Sequence, residues 1–470
     1  NIMVDKHFEV LPHTETLNST DQSLVHVLPA KNDKLLLVSR YNGIYLYDYK
    51  KAKATQTPDG SFDKELVSSD ILQKLPTVFD DYLKKYQAYC VYRIQENQYA
   101  IGTLGGGVII MDGEGQLIGI VNKSRGLVDN RIYYVYVDQQ NNLWAATNNG
   151  ISCVYTSSPF RYFGSENGLN TGVLNTIRHK GTLYTSTYNS VYYLPEYTLQ
   201  LENDIHQFKS IIDEPAWEFS IQKDKLFAGA YTNLYQIRGA EFKKLYTASD
   251  VVSSIGYSKN MPDYLFVGIS TGMSAVKLSN FSDENSDSWA NTVETHEGLF
   301  NDYKYNTKQI TSDKDGNLWV STENNGLIYV NTSAANIEGI KISKIDTLNG
   351  LPYNQGNFAF IHKGEILITT NKGIYEIEKQ NGSSKIRVIP SSKIPQIPEG
   401  YQSIKHLAFN GDIIYLSSNN GMLSIDNSNA NSQWNETPFK EVQSIIWKQY
   451  IDADGSVWYN GNNGLVHYDT

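Results

Sequence analysis

One phrase, repeated along the chain at nearly regular spacing, limits what this sequence can fold into. Its clearest copy reads Asp313-Lys-Asp-Gly-Asn-Leu-Trp-Val-Ser-Thr-Glu-Asn-Asn-Gly326-Leu-Ile-Tyr-Val. It returns as Asp138-Gln-Gln-Asn-Asn-Leu-Trp-Ala-Ala-Thr-Asn-Asn-Gly150-Ile and as Asp452-Ala-Asp-Gly-Ser-Val-Trp-Tyr-Asn-Gly-Asn-Asn-Gly464-Leu. Weaker copies turn at Gly43, Gly107, Ser190, Asn233, Gly272, Gly373 and Gly421. The nine intervals from Gly43 to Gly464 average about 47 residues, within the range of one four-stranded propeller blade. The predicted fold class is all-β, a β-propeller of about ten such repeats.

Each copy has a local physical reading. An alternating apolar run such as Arg131-Ile-Tyr-Tyr-Val-Tyr-Val-Asp138 suits a strand of period two, and the Asp/Asn/Gly cluster after it suits a tight hairpin. The second strand carries Leu-Trp or a similar pair and ends at a Thr/Ser-x-x-Gly turn, where Gly, or the tolerated Asn233, takes a positive φ. Ser190 suits that turn poorly, so its copy is expected to turn differently. A third strand of the Gly43-Ile-Tyr-Leu-Tyr47 type follows, and a variable segment such as Phe160-Arg-Tyr-Phe163 supplies the outermost fourth. Links between blades repeat as well: Gly126-Leu-Val-Asp-Asn130, Gly168-Leu-Asn170, Gly298-Leu-Phe-Asn301 and Gly350-Leu-Pro-Tyr-Asn354.

The chain begins with a segment that reads as an outer strand, His7-Phe-Glu-Val-Leu-Pro12, and ends just after a third strand, Gly464-Leu-Val-His-Tyr468. A propeller whose last blade is completed from the other end of the chain removes two sheet edges at once. Two closures meet that requirement. Ten units close one wide ring, or the last seven, residues 158–470, close a seven-bladed ring and leave 1–157 as three blades of a preceding propeller. The long interval between Gly43 and Gly107 holds a rim insertion near residues 54–86, whose apolar spacing at Leu66, Ile71, Leu72, Leu75, Phe79 and Leu83 predicts a short helical excursion interrupted by Pro76.

The Asp-x-x-Gly-x-Leu-Trp-x-x-Thr-x-x-Gly-Leu phrase followed by Gly-Leu-x-x-Asn resembles the two-component regulator propeller repeat of periplasmic sensor regions in hybrid two-component systems of polysaccharide-degrading Bacteroidetes. The resemblance spans nearly the whole chain. It is specific at Trp144, Trp319 and Trp458 and weak from about 173 to 280, where the Asp-Gly hairpin becomes His179-Lys-Gly181 and Lys223-Asp224. It implies tandem seven-bladed propellers, which favours the seven-plus-three closure. It also implies a non-catalytic, periplasmic module of a membrane-anchored sensor that recognises an oligosaccharide and signals to a histidine kinase and a DNA-binding regulator outside this region.

Composition restricts the partners. Net charge is −10, which disfavours nucleic acid and anionic membrane surfaces, and no run of 18 apolar residues could cross a bilayer. The missing initiating Met and leader make Asn1 read as a processed or truncated start. Cys90 and Cys153, on strands of neighbouring units, are expected to be buried thiols. No catalytic constellation, metal site or cofactor is predicted. His179 and His362 share one hairpin position in their repeats, and Asp313-x-Asp315-Gly316 and Asp452-x-Asp454-Gly455 lack a calcium loop's twelfth-position Glu, so a hairpin turn accounts for both. Gly105-Gly-Gly107 lacks the helix and Lys of a phosphate cradle. Trp144, Trp319 and Trp458, at one fixed place in the strong copies, are assigned to packing between blades, and Gly150, Gly326 and Gly464 to the structural turns that follow.

Function is sought where repeats vary, in loops. Strand parity places the turns between second and third strands on one face with the links between blades. The first set carries Arg40, Tyr41, Tyr188, Tyr231 and Glu323; the second carries Asn130, Arg131, Asn170, Asn301, Tyr303, Tyr305 and Asn354. Aromatic faces cover sugar C–H patches and amides bond hydroxyls, so this mixture suits an oligosaccharide ligand. Two other classes stay open: a propeller-type polysaccharide or streptogramin-like lyase, and a protein-interaction scaffold. Signalling by a shift in protomer placement predicts a homodimer in the complete ectodomain, weak or absent in this region alone.

Overall fold

Each strong copy of the phrase is an antiparallel strand pair organised by one aspartate. In a computed structural model of the chain, Asp313 Oδ1 accepts the N–H groups of Asp315 at 3.0 Å and Asn317 at 2.9 Å. Its own N–H donates to the Asn317 carbonyl at 2.8 Å, which closes the hairpin, and Oδ2 accepts the indole N–H of Trp319 at 3.2 Å. The same carboxylate–indole bond holds Trp144 to Asp138 at 2.9 Å and Trp458 to Asp452 at 3.1 Å. Trp144's N–H holds the Asp138 carboxyl below its usual range. Three copies without this aspartate use two-residue turns with both φ positive: Lys180 and Gly181 (49° and 80°), Lys223 and Asp224 (52° and 57°), Lys363 and Gly364 (50° and 77°).

The turn after the second strand is a side-chain clasp. Thr322 Oγ1 donates to the Gly326 carbonyl at 2.8 Å and accepts the Asn325 N–H at 3.0 Å. Gly326 (φ 71°) and Gly464 (φ 117°) start the third strand so close to the fourth that a Cβ would lie 2.3 Å and 2.4 Å from the carbonyl oxygens of Ile345 and Phe163. The weaker copies differ. Neither Ser190 nor Asn233 takes a positive φ; near Asn233 it falls on Tyr231, at 46°.

The structure describes residues 3–4, 9–10, 24–54, 71–156, 158–194, 207–281, 288–297, 305–378, 386–401, 403–429, 431–440, 442 and 445–469. Among these, the residues up to Ser158 form one compact unit and those from Pro159 another.

The second unit holds seven antiparallel sheets. Their innermost strands are Val173–His179, Ala216–Gln222, Val252–Tyr257, Thr307–Ser312, Phe358–His362, Ile404–Asn410 and Ile446–Ile451. Each lies against the next, and Ile446–Ile451 lies against Val173–His179, so the seven close into a ring. The last sheet takes its outermost strand from the unit's beginning: Phe160–Phe163 pairs with Gly464–Tyr468 in the register Phe160↔Tyr468 to Phe163↔Leu465. Two side-chain contacts tie the seam on the inner side. Arg178 Nε donates to Asp452 Oδ2 at 2.7 Å, and Thr176 Oγ1 donates to Asn460 Oδ1 at 2.6 Å in a buried pair.

The first unit holds three larger sheets, beginning with Leu24–Pro29, Ala88–Gln95 and Ile132–Val137. Within the rim insertion, Leu72–Leu75 is not helical: it is the fourth strand of its sheet, paired with Ile44–Tyr47, because a free sheet edge is available to it. Beyond Pro76 the helix Asp80–Tyr86 forms, with Tyr82 and Leu83 buried against Leu75 and Ile101. Near the start, Glu9–Val10 pairs with Met3–Val4 and not with a blade, unlike the expected outer strand.

Apolar contact between successive sheets supplies the core. Trp319 (4 % exposed) packs on Ala359, Ile366 and Ile368 of the following sheet, and Trp458 (5 %) packs on Val173 and Leu183 across the seam. Trp144, expected to pack in the same way, is 42 % exposed. Its sheet is the last of the first unit, and its outward face carries Tyr134, Tyr136 and Ile151, all exposed, while Val135, Leu143 and Ala145 fill the inward face. Cys90 is buried, which pushes its thiol up to about 12, whereas Cys153 is half-buried beside Trp144 and not fully buried as expected.

His406 is an ionisable group strongly perturbed by this packing. Its ring sits edge-on to Phe360 at 5.2 Å, Nδ1 is sealed without a partner, and desolvation, with a smaller contribution from Lys448, lowers its pKa to about 3.

Two outcomes follow from the packing. Trp319→Ala should cost roughly 3–5 kcal/mol and Trp144→Ala about 0.5 kcal/mol or less, read from urea midpoints. Because His406 is neutral when folded, the unfolded chain binds the extra proton below about pH 6.5; stability should fall as pH drops from 6.5 towards 3, and His406→Gln should flatten that slope.

Candidate functional site

A recurring irregularity of the inner strands builds the site. In six of the seven sheets of the ring, the pairing of the first two strands slips by one residue at the start: Val173/Asn175, Ala216/Glu218, Val252/Ser254, Thr307/Gln309, Ile404/His406 and Ile446/Lys448. The residue caught in each bulge has no cross-strand partner, and a bulge re-aims its side chain. Those residues are Leu174, Trp217, Ser253, Lys308, Lys405 and Trp447, and all six line one cavity of about 620 Å³ at the mouth of the ring's channel. The positions that follow the bulge form a second layer, from which Glu218, Gln309, His406 and Lys448 line the same cavity.

The cavity is aromatic on one side. Tyr188 lies edge-on to Trp217 at 6.1 Å and to Trp447 at 6.4 Å, and the three rings are 38 to 41 % exposed, a concave apolar surface left uncovered. Its charges are arranged unequally. Lys448 Nζ donates to both carboxylate oxygens of Glu218 at 2.9 and 2.8 Å, bridging two sheets that flank a third. Lys308 faces Glu323 at 3.5 Å, and Glu323 also accepts from Asn306 Nδ2 at 2.7 Å. Lys405 is exposed and has no ion-pair partner among the described residues.

The candidate residues divide between the two units. In the second, Tyr188 lines the cavity, and Glu323 stands at its edge through Lys308 and Asn306. Tyr305 packs against the core around Met273 and Val320, and Tyr231 is exposed on its turn. Tyr303 and Asn301 lie outside the described residues. In the first unit, the Arg40 guanidinium lies 5.9 Å above the Tyr89 ring and the Tyr41 hydroxyl 3.5 Å from Gln87 Oε1. Asn130 takes the Gly107 N–H on its carbonyl and the Lys123 N–H on Oδ1; Asn354 receives Gly326 and Thr347 in the same way. These link asparagines therefore hold blade junctions. Arg131 is exposed, its N–H bonded to Asp129. The two repeat histidines are structural in their contacts: His179 Nε2 meets the Asp224 carbonyl at 3.1 Å, and His362 stacks on Phe409 at 4.6 Å.

Trp217, Trp447, Lys308 and Lys405 escaped the sequence reading because they sit inside strands, not in loops. One signal could have found them: the second residue of each inner strand is the position at which large or charged residues differ from copy to copy.

Residues 126–149 match the family described as the two component regulator propeller. Among solved structures, the chain is similar to the extracellular domain assigned to the hybrid two component system BT3049 of B. thetaiotaomicron, with a TM-score of 0.61 and 14 % identity over 95 % of this chain and 56 % of that one. It is also similar to the extracellular domain of BT4673 from the same organism, with a TM-score of 0.51 and 14 % identity over 94 % of this chain and 64 % of that one. The chain thus spans little more than half of the first of these ectodomains. A streptogramin B lyase is matched at a TM-score of 0.45 and 14 % identity over 66 % of this chain and 96 % of that one, too distant to bear on chemistry. No curated protein matches the chain. At 14 % identity these likenesses establish architecture, and with the match at 126–149 the chain is a β-propeller that carries the two component regulator propeller repeat.

Proposed function

We propose that the chain is a non-catalytic, periplasmic sensor module of a hybrid two-component system, and that it binds an oligosaccharide at the channel mouth of its seven-bladed ring. One observation carries the reading: six bulged residues and Tyr188 converge on one open cavity, three exposed aromatic rings among charged and amide groups. Such a surface suits a ligand with C–H faces and a hydroxyl perimeter. The likeness to sensor ectodomains supports the setting, with kinase and regulator outside this region. Among the described residues, no helix is long and apolar enough to cross a membrane. The three sheets of the first unit belong, in this reading, to a preceding propeller.

A binding role without turnover is favoured by the side chains on offer. The imidazole of the cavity, His406, has a pKa of about 3 and is a weak base, and Glu218 is held by Lys448. Signalling requires a ligand that prefers one arrangement of the receptor over another, which a homodimer of the complete ectodomain provides.

Calorimetry against a panel of glycan fragments is the direct test. Binding should be selective by tenfold or more, about 1.4 kcal/mol, for one linkage and length. Trp217→Ala and Trp447→Ala should each remove at least that factor without altering the melting temperature; unchanged affinity in both would place the ligand elsewhere. Incubation with acidic polysaccharides should produce no ultraviolet absorbance from a new double bond, and turnover would replace this reading with a lyase. By sedimentation, the complete ectodomain should be a dimer whose shape or association responds to ligand; a monomer under both conditions would reject the dimer.

A further inference from the structure

Resting on the assignment of the channel mouth as a glycan site, the charge layout of that mouth narrows its ligand. Three lysines and one glutamate line the cavity. The glutamate, Glu218, is already neutralised in the lower layer by two contacts from Lys448 at 2.9 and 2.8 Å. The upper layer therefore presents Lys308 and Lys405 with no carboxylate among its own bulged residues, and Glu323 approaches only Lys308, at 3.5 Å. This is a local excess of positive charge in a chain of net charge −10.

Such an excess is not required for the strand packing. The bulged residues carry no cross-strand pairing, and the corresponding positions elsewhere in the ring are Leu174, Trp217, Ser253 and Trp447, so an uncharged residue is accommodated there. A concave site with low-dielectric aromatic walls concentrates the field of its charges and attracts the opposite sign. Lys405, exposed and without an ion-pair partner among the described residues, is the charge most available to an incoming group. A lysine ammonium can form a charge-assisted hydrogen bond to a carboxylate or a sulfate ester, while Trp217 and Trp447 require the flat C–H face of a ring.

We infer that the channel mouth takes an acidic oligosaccharide, with Lys405 as the main contact to its acid group, Lys308 as a second, and the Trp217 and Trp447 rings against its sugar faces. The full chain would be titrated with uronate-containing tetrasaccharides, each paired with its carboxyl-reduced neutral counterpart, and with sulfated disaccharides. The acidic member of the recognised pair should bind at least tenfold tighter than the reduced one, and its affinity should fall as salt rises. Lys405→Met should abolish most of that preference and weaken the salt dependence, with a much smaller loss of affinity for the neutral counterpart; Lys308→Met should do so to a smaller extent. Preference for a sulfated probe alone, lost in Lys405→Met, would support the same contact and identify the acid group as a sulfate ester. Equal binding of acidic and reduced partners, unaffected by Lys405→Met, would overturn this inference and leave the glycan site standing. Failure of every glycan to bind would remove the site assignment itself.

Discussion

Everything in the seven-bladed unit depends on the edge strand Phe160–Phe163 meeting Gly464–Tyr468. A sheet that ends in water leaves a row of unpaired N–H and C=O groups, and a row of sheets that does not close leaves an apolar face uncovered as well. The pairing settles the first problem and the seam settles the second: Trp458 packs on Val173 and Leu183, and Arg178 reaches Asp452, the aspartate that also holds the Trp458 indole. One carboxylate thus joins the last hairpin, the last core tryptophan and the first blade. Gly464 is required at that place because a Cβ would meet the Phe163 carbonyl. The first unit shows the contrast. Its third sheet has the same aspartate and the same tryptophan, yet Trp144 stays exposed beside Tyr134 and Ile151.

The fold was legible because its signals are local and repeated. Asp313, Gly316, Trp319, Thr322 and Gly326 each have a role that needs only neighbours within a few residues, so the phrase announces hairpin, strand and turn together. Legibility declined where a role depends on distant residues. Leu72–Leu75 has helix-compatible spacing, but an open edge beside Ile44–Tyr47 makes it a strand. The positive φ near Asn233 passes to Tyr231, a shift that residue preference alone does not disclose.

The site was less legible than the fold for a related reason. Loops were the natural place to seek function, and Tyr188 does come from a turn. The other rings and the lysines of the cavity come from within strands whose pattern is otherwise regular. A one-residue slip in pairing leaves almost no trace in hydrophobic periodicity, since the strand resumes its alternation on the far side. Asn130 and Asn354 show the converse: they stand in variable-looking links, yet both are consumed by the same backbone contacts at blade junctions.

The bulge separates two tasks that a strand residue ordinarily performs at once. A side chain in regular pairing must suit its cross-strand neighbour and the sheet beneath it, so changing it disturbs the scaffold. A bulged side chain is released from the first obligation, and Leu, Trp, Ser and Lys all occupy that place around one ring. The channel mouth is therefore a set of positions at which side chains can change while the ring of sheets stays as it is. Duplicating a blade would add one more such position, and drift at these places could change the lining of the mouth without first passing through an unfolded protein.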